Sequence, residues 1–285
     1  MFRKFIFPLF SLALVFTGMI APTLMGAIGF NPTEAASIQQ NPPLQTTPVS
    51  CIQPVTSEEK AICEQIEGQI LAATVRIEMH TQFYLQGHAI KKINASHATI
   101  MAGRYLVTHN HFRFSLTEQV VEDGGQEGYM GISLRTTTGK ILIENVPLSS
   151  FHIVHEDPQT LVFAFVDEYG NGLFDNARLP SAQFMEWRSV PWQAGMELAQ
   201  VDWDGENAHV DWVHYETLNQ NEGVPQIQIG NFPKKGCSGG GVFWNGVHVG
   251  NTWAENVEED PNTGEVIRRY SMIALNSAEM MDLAK

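Results

Sequence analysis

The sequence predicts an all-β protein, a sandwich or a barrel, on three observations. Short runs with a period of two, rich in β-branched and aromatic residues, recur along the chain: "ATVRIEMH", "KILIENV", "TLVFAFVD", "HVDWVHYE" and "PQIQIG". Turn signals such as "TTGK", "YGNG", "DGEN" and "WNGV" separate or flank them. Helix signals are confined to two places. Thr56 and Glu59 in "TSEE" form a capping box that opens a short helix through about Gly68, and Asn276 or Ser277 caps the terminal "AEMMDLAK". Alternating strands without interleaved helices mean a sandwich or barrel.

The elements follow in order from the N-terminus. Arg3 and Lys4 precede an almost uncharged run from Phe5 to Phe30, the order of a secretory signal, with Ala35, Ala36 and Ser37 as small residues at the cut. At about 26 residues the run is also long enough to span a bilayer. Residues 1–36 are therefore expected to be a cleaved signal peptide or an N-terminal membrane anchor, with the folded part secreted or otherwise extracytoplasmic in both cases. Residues 37–55, rich in Pro, Gln, Thr and Ser, read as a linker. The folded domain is expected over 56–285.

Composition narrows the function. The chain has 285 residues, 44% hydrophobic, enough for one large core or two small ones. A formal charge of −14 argues against nucleic acid, which is bound chiefly through Lys and Arg, and against anionic membrane surfaces. Of the three cysteines, Cys51 and Cys63 lie close enough in sequence to pair, which leaves Cys237 as the odd one.

Cys237 sits in "GCSGGG", residues 236–241, the stretch that carries the chemistry. A glycine run costs conformational entropy and needs a backbone reason. The pattern G-x-S-x-G marks a nucleophile elbow in α/β hydrolases, which need an acid and a histidine after the serine. Only His248 follows Ser238, and no strand–helix alternation exists, so that reading fails. Upstream lies "GRYLVTHNHF", a β-run ending in histidines, with "DPQTLVFAF" between it and the serine.

Histidine, then acid, then a late serine among glycines resembles the chymotrypsin-like (trypsin-like) serine proteases, and most closely their bacterial secreted branch. The resemblance rests on "LVTHNH", "GCSGGGVF" and "GVHVGNTW", and covers roughly residues 68–285. It implies two packed six-stranded antiparallel β-barrels, one over about 68–180 and one over about 190–275, with a short C-terminal helix over 276–285. It also implies a serine endopeptidase acting through an acyl-enzyme. Ser238 falls on the nucleophile and His111 on the general base, with His109 as its competitor. Gly236 and Ser238 supply the oxyanion N–H pair.

The acid is expected at Asp157, ahead of the apolar strand "LVFAF", with Glu156 and Asp167 as alternatives. Thr252, Trp253 and Ala254 are expected to pair with an extended polypeptide substrate by strand addition. Thr252 stands where glutamate-specific members carry a histidine, so that specificity is not supported. Phe232 and the following "PKK" lie near the wall of the specificity pocket. Cys237 replaces the aspartate that holds the freed N-terminus in zymogen-activated members.

A serine hydroxyl needs a base to become nucleophilic, and histidine titrates near neutrality. Two metal readings compete weakly. His109 and His111 alternate as zinc ligands on a strand can, and Asp167, Asn171 and Asp175 hint at calcium, but neither set is complete. No metal or cofactor is expected, and the chain is expected to be a monomer. The alternative function is a catalytically inactive protease homologue that binds extended peptides.

Overall fold

The computed structural model describes residues 49–114, 126–165, 179–221, 224–230 and 236–284. The expected targeting segment, most of the linker, the calcium reading at Asp167, Asn171 and Asp175, and Phe232 with "PKK" lie outside them. Among the described residues no helix is long and apolar enough to cross a membrane.

Helix α1 (Ser57–Ala72) begins with the expected capping box and runs past Gly68. The Thr56 hydroxyl accepts the Glu59 N–H at 3.1 Å, and the Glu59 carboxylate accepts the N–H groups of Thr56 and Val55. Its apolar side, Ile66 and Ile70, packs on Ala199, Val201 and Phe243. A disulfide joins Cys51 to Cys63 on the helix. The segment before the helix is held by one carboxylate: Glu197 accepts the Ser50 hydroxyl and the N–H groups of Cys51 and Ile52.

Seven strands form the first sheet: β1 (Thr74–Leu85), β2 (His88–Met101), β3 (Tyr105–His109), β4 (Gln126–Thr136), β5 (Ile141–Pro147), β6 (Phe151–Glu156) and β7 (Thr160–Phe165). They are antiparallel in the order β5-β4-β1-β2-β3-β7-β6. Its core is Ile77, Ile100, Leu106, Ile132, Leu134, Leu161 and Phe163. The two edge strands, β5 and β6, are consecutive in the chain and joined by the 3₁₀ turn Leu148–Ser150, so the sheet is curled into a half-barrel. A closed six-stranded barrel was expected here. Pro147 has no N–H for a ladder bond, so it ends one strand and the chain turns before the next begins.

The second sheet does close. Strands β9 (Glu197–Trp203), β10 (Ala208–Asn221), β11 (Val224–Ile229), β12 (Gly241–Trp244), β13 (Val247–Glu259) and β14 (Val266–Leu275) run β12-β9-β10-β11-β14-β13, and β13 pairs back onto β12. The two-residue strand β8 (Gln183–Phe184) adds in parallel to β13. Alternate residues fill the interior: Leu198, Val213, Ile227, Val242, Val249, Ile273 and Leu275. The last helix, α3 (Ala278–Asp282), is capped by Ser277, whose hydroxyl accepts the Met280 N–H. It buries Met280 against Met101, Val107 and Val162 of the first sheet. Asn276, the other expected cap, instead donates to the carbonyls of Met185 and His248.

Replacing Cys51 and Cys63 together by Ala should cost about 3 kcal/mol in urea unfolding at unchanged far-UV circular dichroism, the loop-closure cost of a bridge this short. An unchanged urea midpoint would show that the Glu197 bonds alone hold the strap.

Candidate active site

The glycine run is a loop fixed at nearly every carbonyl. Gly236 (φ +103°) lies against the ring of Trp203, and Gly239 (φ +76°) faces the His97 carbonyl and the Thr108 hydroxyl so closely that no Cβ fits. The Ser238 carbonyl accepts the Ser96 hydroxyl at 2.5 Å and the His97 N–H at 3.0 Å, both from β2. His97 Nδ1 lies 2.8 Å from the Gly236 carbonyl, so this nitrogen carries the proton and donates. Thr252 clasps the other side, accepting the Gly239 N–H and donating its own to the Gly240 carbonyl, each at 2.8 Å. Cys237 is fully buried, and its thiol donates to Asp202 Oδ1.

This fixation aims two amides. The Cys237 carbonyl accepts the Gly240 N–H at 2.9 Å, and a planar trans peptide turns the Ser238 N–H to the opposite side. Among the described residues neither the Gly236 nor the Ser238 N–H donates a hydrogen bond. Two unengaged donors flanking one residue, next to a serine, are the arrangement that stabilises an oxyanion.

The two candidate histidines occupy different environments. His109, at the end of β3, is buried with Nε2 3.0 Å from Ser96 Oγ. Because the Ser96 proton goes to the Ser238 carbonyl, His109 is the donor in this contact. Burial first, then the charge of His111, pushes its pKa down to about 3. His97, also buried, is lowered to about 4, mainly by desolvation. His111 opens helix α2 (His111–Phe114) and is exposed, and what burial it has lowers its pKa. Its ring stands 5.2 Å from that of Trp253, and neither ring nitrogen has a hydrogen-bond partner among the described residues.

Asp157 is brought near this histidine but does not hold it. The Asn110 side chain donates to the Asp157 and Pro158 carbonyls, and the Asn110 N–H donates to the Gln159 carbonyl. The carboxylate of Asp157 serves its own loop: Oδ1 accepts the N–H groups of Gln159 and Thr160, and Oδ2 lies 3.4 Å from His155. Glu156 is exposed on β6, and Asp167 lies outside the described residues. Gln159 is a residue that the motifs do not mark. It is buried, its amide nitrogen donates to Gln226, and its amide oxygen has no partner among the described residues.

The expected substrate-binding residues form one strand segment. Thr252 is buried, its hydroxyl accepting from Gln200 at 2.9 Å. Trp253 is the extra residue of a bulge, without a partner in β14, while Ala254 pairs with Met272. A bulge re-aims a side chain, and here the ring goes to His111. Beyond Asn251, β13 has no partner on its β12 side among the described residues. The backbone of Trp253 and Ala254 thus forms an open edge beside the glycine loop.

No family profile and no curated protein matches the chain in sequence. Solved structures do match in fold. The HtrA-type protease AlgW in complex with a decapeptide superposes at a TM-score of 0.50 and 16% identity, covering 78% of this chain. The fold is that of a chymotrypsin-like protease. This chain spans 64% of that neighbour's length. The active form of the Rv3671c protease from M. tuberculosis aligns at 13% identity and a TM-score of 0.48, over 85% of this chain and 91% of that one.

Three buried histidines make the fold acid-sensitive. His248 joins His97 and His109, with burial lowering its pKa to about 3. Each folded-state value lies below the ordinary 6.5, so the unfolded chain binds protons more readily as the pH falls below 6.5. The stability is complete above 6.5 and is lost through the window down to about 4 and below. Urea unfolding at pH 5 should show a loss of about 2 kcal/mol per histidine relative to pH 7. Equal stability at the two pH values would contradict these protonation states.

Proposed function

We propose that this chain is a serine endopeptidase of the extracytoplasmic space, with Ser238 as nucleophile and His111 as general base. One observation carries the reading: the Gly236 and Ser238 amides beside the serine, unengaged among the described residues and fixed by bonds that also reach the histidine strand. Ser96 is the link, since it donates to the Ser238 carbonyl and accepts from His109, two residues before His111. In this reading an extended polypeptide pairs with the open edge at Trp253 and Ala254, while Thr252, expected to share that role, has both backbone groups bonded to Gly239 and Gly240. The scissile carbonyl then lies between Ser238 and the two amides. His111 takes the serine proton and returns it to the leaving amine. Buried neutral His109 is spent on Ser96. The N-terminal segment would deliver the domain across the membrane.

Asp157 has a different part here from the one expected of it. Its carboxylate closes the loop that braces Asn110, and among the described residues no carboxylate bonds His111. That same observation favours the second reading, a homologue that binds peptides without cleaving them, because an unoriented imidazole is a weaker base.

Fluorophosphonate labelling and peptide turnover separate the two. Wild type should label at Ser238, and Ser238→Ala should lose labelling and at least about 10³-fold in turnover. Asp157→Asn, whose amide oxygen can still accept the loop N–H groups, should stay within about tenfold of wild type. A loss near 10⁴-fold would instead make Asp157 the acid of a complete triad. Absent labelling of the folded protein would leave the binding module.

A further inference from the structure

We propose that Asp202, His209 and Asp211 form a binding site for a divalent transition-metal ion of the zinc class, behind the glycine loop. The three residues lie at one end of the closed barrel. His209 stands directly opposite Asp202 in the β9–β10 register, and Asp211 is two residues further along β10 on the same face. One ligand atom from each lies within 4.8 Å of the other two. His209 Nε2 and Asp211 Oδ1 are 3.5 Å apart.

The charge balance points to a cation. Asp202 is 1% exposed, yet among the described residues it has no ion-pair partner. Among the described residues it accepts from the Trp203 N–H at 2.7 Å and from the Cys237 thiol, both on Oδ1. A carboxylate taken out of water without a counter-charge costs several kcal/mol, which a bound cation offsets. His209 adds a second signal, since its Nδ1 is buried and also unpartnered. Its Nε2 faces Asp211 Oδ1 at 3.5 Å, which leaves the ring directed into the cluster with a nitrogen to offer as a ligand.

The donor set selects the class of ion. Calcium takes six to eight oxygens, and magnesium keeps near-ideal octahedral oxygen geometry with several waters. One imidazole and two carboxylates suit zinc, which binds N and O at about 2.0–2.2 Å in tetrahedral sites and leaves a fourth position for water. Small side-chain rotations of the half-buried His209 and Asp211 bring the ligands in from their present separation. Cys237 then stands one layer out, its S–H on a ligating oxygen, in the orienting role that outer partners play. This site and the peptidase reading rest on different residues and fail separately.

The test is zinc binding by the full chain, freed of affinity tag and stripped with chelator, followed by calorimetry and by metal analysis after dialysis. One equivalent should bind saturably, and equimolar calcium or magnesium should not displace it. His209→Gln and Asp211→Asn should each weaken binding by at least about 10-fold. Metal-free melting curves of both variants show whether they remain folded. In ¹⁵N-labelled wild type, zinc should shift the ring resonances of His209. Absence of a saturable equivalent would overturn the proposal. So would binding that both variants retain, or a His209 ring that does not respond, since the ion would then lie on other surface histidines.

Discussion

The carbonyl of Ser238 is the joint between the two sheets. It takes a hydroxyl proton from Ser96 and an amide proton from His97, two neighbouring residues of a strand in the first sheet. The loop it belongs to enters the closed barrel at Gly241. With that carbonyl held, the remaining geometry has little freedom. Gly239 must be glycine because the β2–β3 surface leaves no room for a Cβ. The proton of Ser96 is committed, so His109 must donate to it and remain neutral. The Ser238 amide is left without an acceptor among the described residues. Buried polar groups committed in this way specify one arrangement at the cost of tolerance to protonation.

The same joint explains how a nearly neutral set of groups is held in place. His97 and His109 are both buried and both lowered in pKa by burial, so they act as fixed dipoles. Behind the loop a buried carboxylate, Asp202 on β9, is reached through the Cys237 thiol. The acid comes from the barrel wall, and the residue before the serine is its donor. A glycine loop supported in this way is set by internal packing of the folded domain.

Some of this was legible in the sequence. "GCSGGG" and "LVTHNH" are local patterns, because a tight loop and a strand ending in a histidine turn are built from adjacent residues. The capping box of Thr56 and Glu59 is legible for the same reason. Ser96 and His97 were not: "NASHAT" has no motif of its own, and its partner lies 142 residues away. β9 was hidden by its interior polar residues. In "ELAQVDW", Gln200 and Asp202 point into the barrel, where Gln200 bonds Thr252 and Ser271, so polarity at those positions signals a network and not solvent. Asp157 has the spacing of a catalytic acid, but spacing does not say which N–H groups compete for its oxygens. Pro147 was visible, yet its power to split one strand into two edges depends on the curl of the whole sheet.

The central claim is that the loop presents the Gly236 and Ser238 amides to one oxygen of a group bonded to Ser238. The most direct measurement is a crystal structure of the protein after reaction with a fluorophosphonate. The account predicts a phosphorus atom bonded to Ser238 Oγ, with its phosphoryl oxygen about 2.7–3.1 Å from both amide nitrogens and His111 beside the adduct. A phosphoryl oxygen turned to solvent, with those amides bonded elsewhere, would contradict it.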